Sequence, residues 1–167
     1  EEVLSHIENE DYANDLSDLL KYEENTAGSM MATELIKVNE NWNTLECLKK
    51  MRKQAEYVKK VHTIYVVNNN NKLLGTMSLK RLLISNKDTK VRDIVNSDVY
   101  YVKTDTSTEE IANLMNKYDL IILPVVNENQ ELLGRITIDD VIDVVKEEAE
   151  KDYQMASGIY EDIENNA

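Results

Sequence analysis

Apolar positions along this 167-residue chain fall into two rounds of one pattern. Tyr65-Val66-Val67-Asn68 followed by Leu73-Leu74-Gly75-Thr76-Met77 returns as Pro124-Val125-Val126-Asn127 followed by Leu132-Leu133-Gly134-Arg135-Ile136, at a constant offset of 59. Upstream, Val38, Leu45, Leu48 and Met51 are echoed by Val102, Glu109, Ala112 and Met115 at an offset of 64, so the first round carries about five extra residues, between Arg52 and His62. Self-similarity of this kind marks a repeat architecture and is weighed before any single element.

Each round predicts the same elements. A short strand lies near Val38 or Val102. An amphipathic helix follows over Thr44–Gln54 or Thr108–Lys117, its apolar stripe given by Leu45, Leu48 and Met51, or by Ile111, Leu114 and Met115, at helical spacing. Two strands joined by a polar, Asn-containing turn come next: Thr63–Val67 and Lys72–Met77, then Leu120–Val126 and Glu131–Thr137. Apolar runs split by such turns are hairpin signals. A last helix starts at Ser78 or Thr137, the second running from Ile138 to Asp152. The order is β-α-β-β-α, twice, an α+β (α/β sandwich-like) class. Neither round has enough apolar face for its own core, so the two are expected to pack together.

Composition narrows the chemistry. The lone Cys47 excludes an internal disulfide and a CxxC zinc site, and reads as a small core residue between Leu45 and Leu48. His6 and His62 have no metal-ligand spacing, and Trp42 reads as a packing anchor before the first helix. No N-terminal secretory signal is visible, and the longest apolar run, Leu120–Val126, is too short to cross a bilayer. If the parent is a membrane protein, this chain is a piece of it. No Gly-rich phosphate loop and no Ser/Cys–His catalytic pattern appears, so no enzyme is expected.

Charge is uneven. The net is −13, with −10 over residues 1–48, +10 over residues 49–92, −5 over residues 93–138 and −8 over residues 139–167. The acidic parts repel nucleic acid, and the basic stretch carries no nucleic-acid-binding motif. In the last helix, Val141, Ile142, Val144, Val145 and Ala149 form an apolar stripe. Asp139, Asp143 and Glu147 sit at i, i+4 and i+8, with Asp140, Glu148, Glu150 and Asp152 beside them. Like charges at that spacing each cost a few tenths of a kcal/mol. Either this is a solvated acidic face, or a hard cation bridges it to another surface, as Mg2+ does with one or two carboxylates and several waters.

The hairpins, with Ile64-Tyr65-Val66-Val67, Leu123-Pro124-Val125-Val126 and the repeated Leu-Leu-Gly, resemble a tandem pair of CBS domains over roughly Met31 to Asp152. Flanking motifs narrow the likeness. Leu19 to Met31, with Thr26-Ala27-Gly28, and the run Thr137-Ile138-Asp139-Asp140-Val141-Ile142-Asp143-Val144-Val145 are similar to MgtE magnesium transporters. That resemblance implies four parts: residues 1–29 as the end of an N-terminal helical domain, 30–92 and 93–152 as the two CBS domains, and 153–167 leading toward a membrane pore. It implies a homodimer, contacts with the protein's own N-terminal and transmembrane domains, no nucleic acid, and a place on the cytoplasmic face of the cell membrane. Magnesium bound among acids would hold the cytosolic part compact and the pore shut.

The resemblance also assigns residues. Glu109, Asp119, Asp140, Asp143 and Glu148, with Asp152 as an addition, fall where the family's Mg2+ ligands lie, and Asn116 where a backbone carbonyl contributes. Lys151 stands where the family often has an acid. CBS pairs also bind adenine nucleotides through a Ser/Thr-x-x-Asp motif, which Thr137 and Asp140 fit, although a capping box fits them equally. In the first repeat, Ser78-Leu79-Lys80-Arg81 puts Arg81 at the ribose-binding Asp position. A cation cannot accept the ribose hydroxyls, which argues against ATP there, while Lys80 could attract phosphates. The rival function is an adenine-nucleotide-sensing module of another transporter or enzyme.

Overall fold

The computed structural model describes residues 22–56 and 63–165. The expected extra residues between Arg52 and His62 fall largely outside that range, as do most of residues 1–29 and both histidines.

The first repeat runs β1 (Ile36–Asn39), α2 (Thr44–Ala55), β2 (Ile64–Val67), β3 (Leu73–Met77) and α3 (Leu79–Ile84), after a single-turn α1 (Ala27–Met30). The second runs β4 (Val102–Lys103), α5 (Thr108–Lys117), β5 (Ile122–Val126), β6 (Leu132–Thr137) and α6 (Ile138–Asn165), after a short α4 (Val91–Ile94). The sheets are three-stranded, ordered β1-β2-β3 and β4-β5-β6, each with one parallel and one antiparallel pair. Val38 pairs with Val66 and Val102 with Val125, the same register in both copies. Each hairpin is bulged at the same place, between Val66 and Val67 and between Val125 and Val126.

The local chemistry repeats as well. The Asn43 side chain accepts from the Glu46 amide (2.8 Å) and Ser107 from the Glu110 amide (3.2 Å), capping α2 and α5. In the hairpin turns, Asn68 Oδ1 accepts from the amides of Asn70 and Lys72, and Asn127 Oδ1 from those of Asn129 and Glu131. Asn71 and Gln130 close these turns at φ 63° and 65°. The turns then meet each other: the Leu73 amide donates to Gln130 O and the Leu132 amide to Asn71 O, both at 3.0 Å. Each residue is bonded to the copy of its own neighbour, as a pseudo-twofold axis requires. Tyr65, Val67 and Leu132 form a small buried cluster there, with Leu35 and Leu73 against it.

The segments that precede the repeats are exchanged. Asn96, ahead of the second repeat, pairs with Thr76 on β3 of the first, N–H to O both ways at 2.9 and 2.8 Å. Ala32, ahead of the first repeat, pairs with Arg135 on β6 of the second, both ways at 2.9 Å. The core of the second repeat accordingly contains Ala27 and Met31 beside Ile111, Met115, Leu123, Val125, Ile136 and Val141. That of the first contains Val91 beside Ile36, Val38, Cys47, Met51, Ile64, Val66, Met77 and Leu82.

Two sequence expectations change. In α2 the buried residues are Thr44, Cys47 and Met51, whereas Leu45 is 47 % exposed. The helix packs against β1, with the Cys47 side chain fully buried. In α6 the apolar stripe is split: Val141 is buried and Val144 half-buried, but Ile142, Val145 and Ala149 are open. The buried side of α6 instead includes the half-buried Asp140 and Glu148. The helix also continues well past Asp152, to Asn165.

Candidate functional site

The start of α6 is fixed by a reciprocal cap. The Thr137 amide donates to Asp140 Oδ2 (3.2 Å), and the Asp140 amide donates to Thr137 Oγ1 (3.3 Å). Thr137 and Asp140 are thus engaged as the capping box that their spacing allows. One turn on, Asp140, Asp143 and Glu147 line a cavity of about 400 Å³ whose far wall is Glu24, Asn25, Ser29 and Met30. That wall is held by its own turns. Thr26 and Ser29 close a capping box at α1, Asn25 takes φ 62°, and the Ala27 and Gly28 amides donate to Thr106 O and Thr104 O. Four carboxylates from segments more than a hundred residues apart therefore face one space. Lys151 is the cation lining it among the described residues, and its charge offsets part of their mutual repulsion.

The other expected metal residues are spread out. Glu109 is exposed in the first turn of α5, Asp119 exposed in the turn after that helix at φ 52°, and Asn116 exposed near its end. Glu148 is half-buried on α6, and Asp152 is exposed. α5, which carries Glu109, packs against α6. Among the described residues, no three acidic, histidine or cysteine side chains converge closely enough to hold one metal ion. Glu24 is the residue that sequence reasoning missed; nothing in its spacing ties it to α6.

A second hollow opens at the first repeat. Ser78, Arg81, Thr63, Thr76 and Asn96 are among the residues around about 550 Å³. Ser78 caps α3 by accepting from the Arg81 amide (3.1 Å). Arg81 is exposed and reaches the hollow, whereas Lys80 is exposed but does not line it. A narrower cavity of about 180 Å³ shares Thr63 and Thr76 with it and continues between the repeats past Tyr65, Asp98, Val99, Leu120 and Pro124. The Tyr65 hydroxyl is buried without a hydrogen-bond partner. Burial pushes its phenol up to about 12, against the opposing pull of Arg135.

A family model for the CBS domain matches residues 27–86 and 91–147. The chain belongs to the CBS-domain family. The pair is also similar to magnesium transporters. MgtE of Thermus thermophilus is 42% identical over 134 residues, covering 80% of this chain and 30% of that protein. MgtE of Enterococcus faecalis is 34% identical over 155 residues, covering 92% and 34%. A crystal structure of the cytosolic domain of the Mg2+ channel MgtE in complex with ATP superimposes with a TM-score of 0.73 at 40% identity, covering 78% of this chain and 53% of that one. The CBS pair therefore spans about a third of the length of the curated relatives it matches. Among the described residues, no helix is long and apolar enough to cross a membrane.

Proposed function

We propose that this CBS pair is the Mg2+-sensing, non-catalytic regulatory region of a magnesium channel. It would lie on the cytoplasmic face of the cell membrane, where its compaction by Mg2+ closes the attached pore. The observation that carries this reading is the acid-lined cavity between α6 and the Glu24–Met30 segment. Carboxylates on both walls repel across the gap, and a hydrated divalent ion placed between them turns that repulsion into attraction. Because no three acids converge within the described residues, the ion binds weakly to this arrangement alone. It gains ligands when Glu109, Asp119, Asp140, Asp143, Glu148 or Asp152 meets acids on the N-terminal domain or on a second copy. A ligand that binds the assembled state better than the spread one shifts the population toward it.

The second copy docks, on this reading, through α3 and α6. Leu83 and Ile142 occupy equivalent positions in the two repeats and are 63 % and 43 % exposed, with Val145 beside Ile142 at 44 %. An exposed apolar face of this kind marks a protein contact.

The test is thermal unfolding and small-angle scattering of the chain in rising MgCl2. Millimolar Mg2+ is expected to raise Tm and reduce the radius of gyration, and Asp140→Asn with Asp143→Asn to weaken both responses. Indifference of both observables to Mg2+ removes the sensor reading. A nucleotide-sensing role has its own support in the hollow beside Ser78 and Arg81 and in the ATP complex of the similar MgtE domain. A Tm shift with ATP and none with Mg2+ would put that role first.

A further inference from the structure

Lys151 lines the acidic cavity together with the carboxylates themselves. Asp140, Asp143, Glu147 and Lys151 belong to its α6 wall, and Glu24 to the opposite wall. At about 100° per residue, those four α6 positions fall on one face of the helix. Glu147 precedes Lys151 by four residues, the favourable order for an ion pair along a helix. On the far wall, the Ser29 hydroxyl is already engaged, donating to Thr26 O and accepting from the Thr26 amide. Among the described residues, one ammonium therefore shares about 400 Å³ with four carboxylates.

An ammonium in that place acts twice. Without a divalent ion, it attracts the carboxylates of both walls and lessens their mutual repulsion. Toward an incoming dication it is repulsive, and it competes for the same carboxylate oxygens. Lysine suits both parts, because its charge is compact and strongly hydrated and rides on a flexible stem. Lys151 is exposed, so its head can withdraw into water when an ion enters.

Resting on the Mg2+ reading of this cavity, we propose that Lys151 is its built-in counter-ion and sets the threshold of the response by opposing entry of the divalent ion. The tethered charge steadies the metal-free arrangement and raises the Mg2+ concentration needed to replace it. A state already stabilised from within leaves the ligand less to gain by differential binding. A purely structural ion pair behaves differently: its loss lowers Tm with and without Mg2+ and leaves the Mg2+ midpoint where it stands. Loss of a counter-ion lowers Tm only without Mg2+ and moves the midpoint down.

The test is the midpoint of the Mg2+-dependent rise in Tm for the unsubstituted chain, Lys151→Gln, Lys151→Glu and Lys146→Gln. It is run at about 0.1 M KCl, where exposed charges more than about 10 Å apart are largely screened. Lys146 is exposed on α6 but does not line the cavity, so it reports the loss of one positive charge elsewhere on the same helix. Lys151→Gln is expected to lower the midpoint about threefold, and Lys151→Glu, which doubles the change in charge, about tenfold. Lys146→Gln is expected to leave it within about 1.5-fold. In EDTA both Lys151 variants are expected to melt about 1–2 °C below the unsubstituted chain. A midpoint unmoved by either Lys151 variant, or moved as far by Lys146→Gln, overturns the assignment and leaves the sensor reading standing. Absence of any Mg2+ response in the unsubstituted chain overturns the sensor reading and the assignment with it.

Discussion

At the scale of single residues, Gly75 and Gly134 explain why Leu-Leu-Gly recurs. A Cβ on Gly75 would lie 2.2 Å from the Asn96 carbonyl oxygen, and one on Gly134 would lie 2.6 Å from that of Ala32. Both oxygens belong to the exchanged segments, so the glycines leave room for a backbone that comes from the other repeat. Gly75→Ala is expected to cost about 1–3 kcal/mol through forced displacement, seen as a Tm lower by several degrees. Cys47 makes a different prediction. Burial, with Glu46 nearby, raises its thiol to about 11 from a usual 9. The folded state then keeps a proton that the unfolded chain gives up, so stability is unaffected below pH 9 and falls as pH climbs from 9 toward 11. Burial of Tyr65 adds a similar loss between about 10 and 12. Chemical-denaturation midpoints measured from pH 8 to 11 are expected to fall, and to fall less for Cys47→Ala. The role of Cys47 as a core residue was read correctly, although Leu45, one of the two leucines flanking it, is exposed. The glycines announced themselves as a motif, but their reason lies in segments about 20 and 100 residues away.

At the scale of elements, α6 separates what periodicity can and cannot say. Its apolar and acidic residues are at helical spacing, and the helix forms. Which apolar residues it buries depends on where α5 lies, so Val141 is covered while Ile142 and Val145 are open. Asp143 sits between Asp139 and Glu147 at i−4 and i+4. Neutralising it is expected to relieve about 0.2–0.5 kcal/mol per pair. Asp143→Asn should therefore raise Tm slightly in EDTA and reduce the increment added by Mg2+, and differential scanning calorimetry reads both. A lower Tm in EDTA would show that Asp143 is stabilising in the absence of metal, contrary to the repulsion account. The acids of α6 were legible as a cluster; their facing wall at Glu24 was not, because only the fold of α1 against the second repeat brings it there.

At the scale of the whole molecule, the exchange of segments makes the two repeats one cooperative unit. Ala27 and Met31 complete the second core and Val91 completes the first. Heating is therefore expected to give a single calorimetric transition whose van't Hoff and calorimetric enthalpies agree. A chain of residues 33–90 alone, deprived of the Asn96 pairing, is expected to show no cooperative transition. The same connectivity would carry a signal: an ion that draws the Glu24–Met30 segment toward α6 acts on backbone that continues through Ala32 into the second sheet.

The sequence by itself determined the two β-α-β-β-α rounds and the crowding of acids on the last helix. These follow from side-chain periodicity, capping residues and turn chemistry, all of which act over a few residues. Only the tertiary structure decided the rest: which repeat each leading segment completes, which face of α6 stays open, and which acids and cavities share a space. Those outcomes depend on packing between residues distant along the chain, and no local pattern encodes that packing.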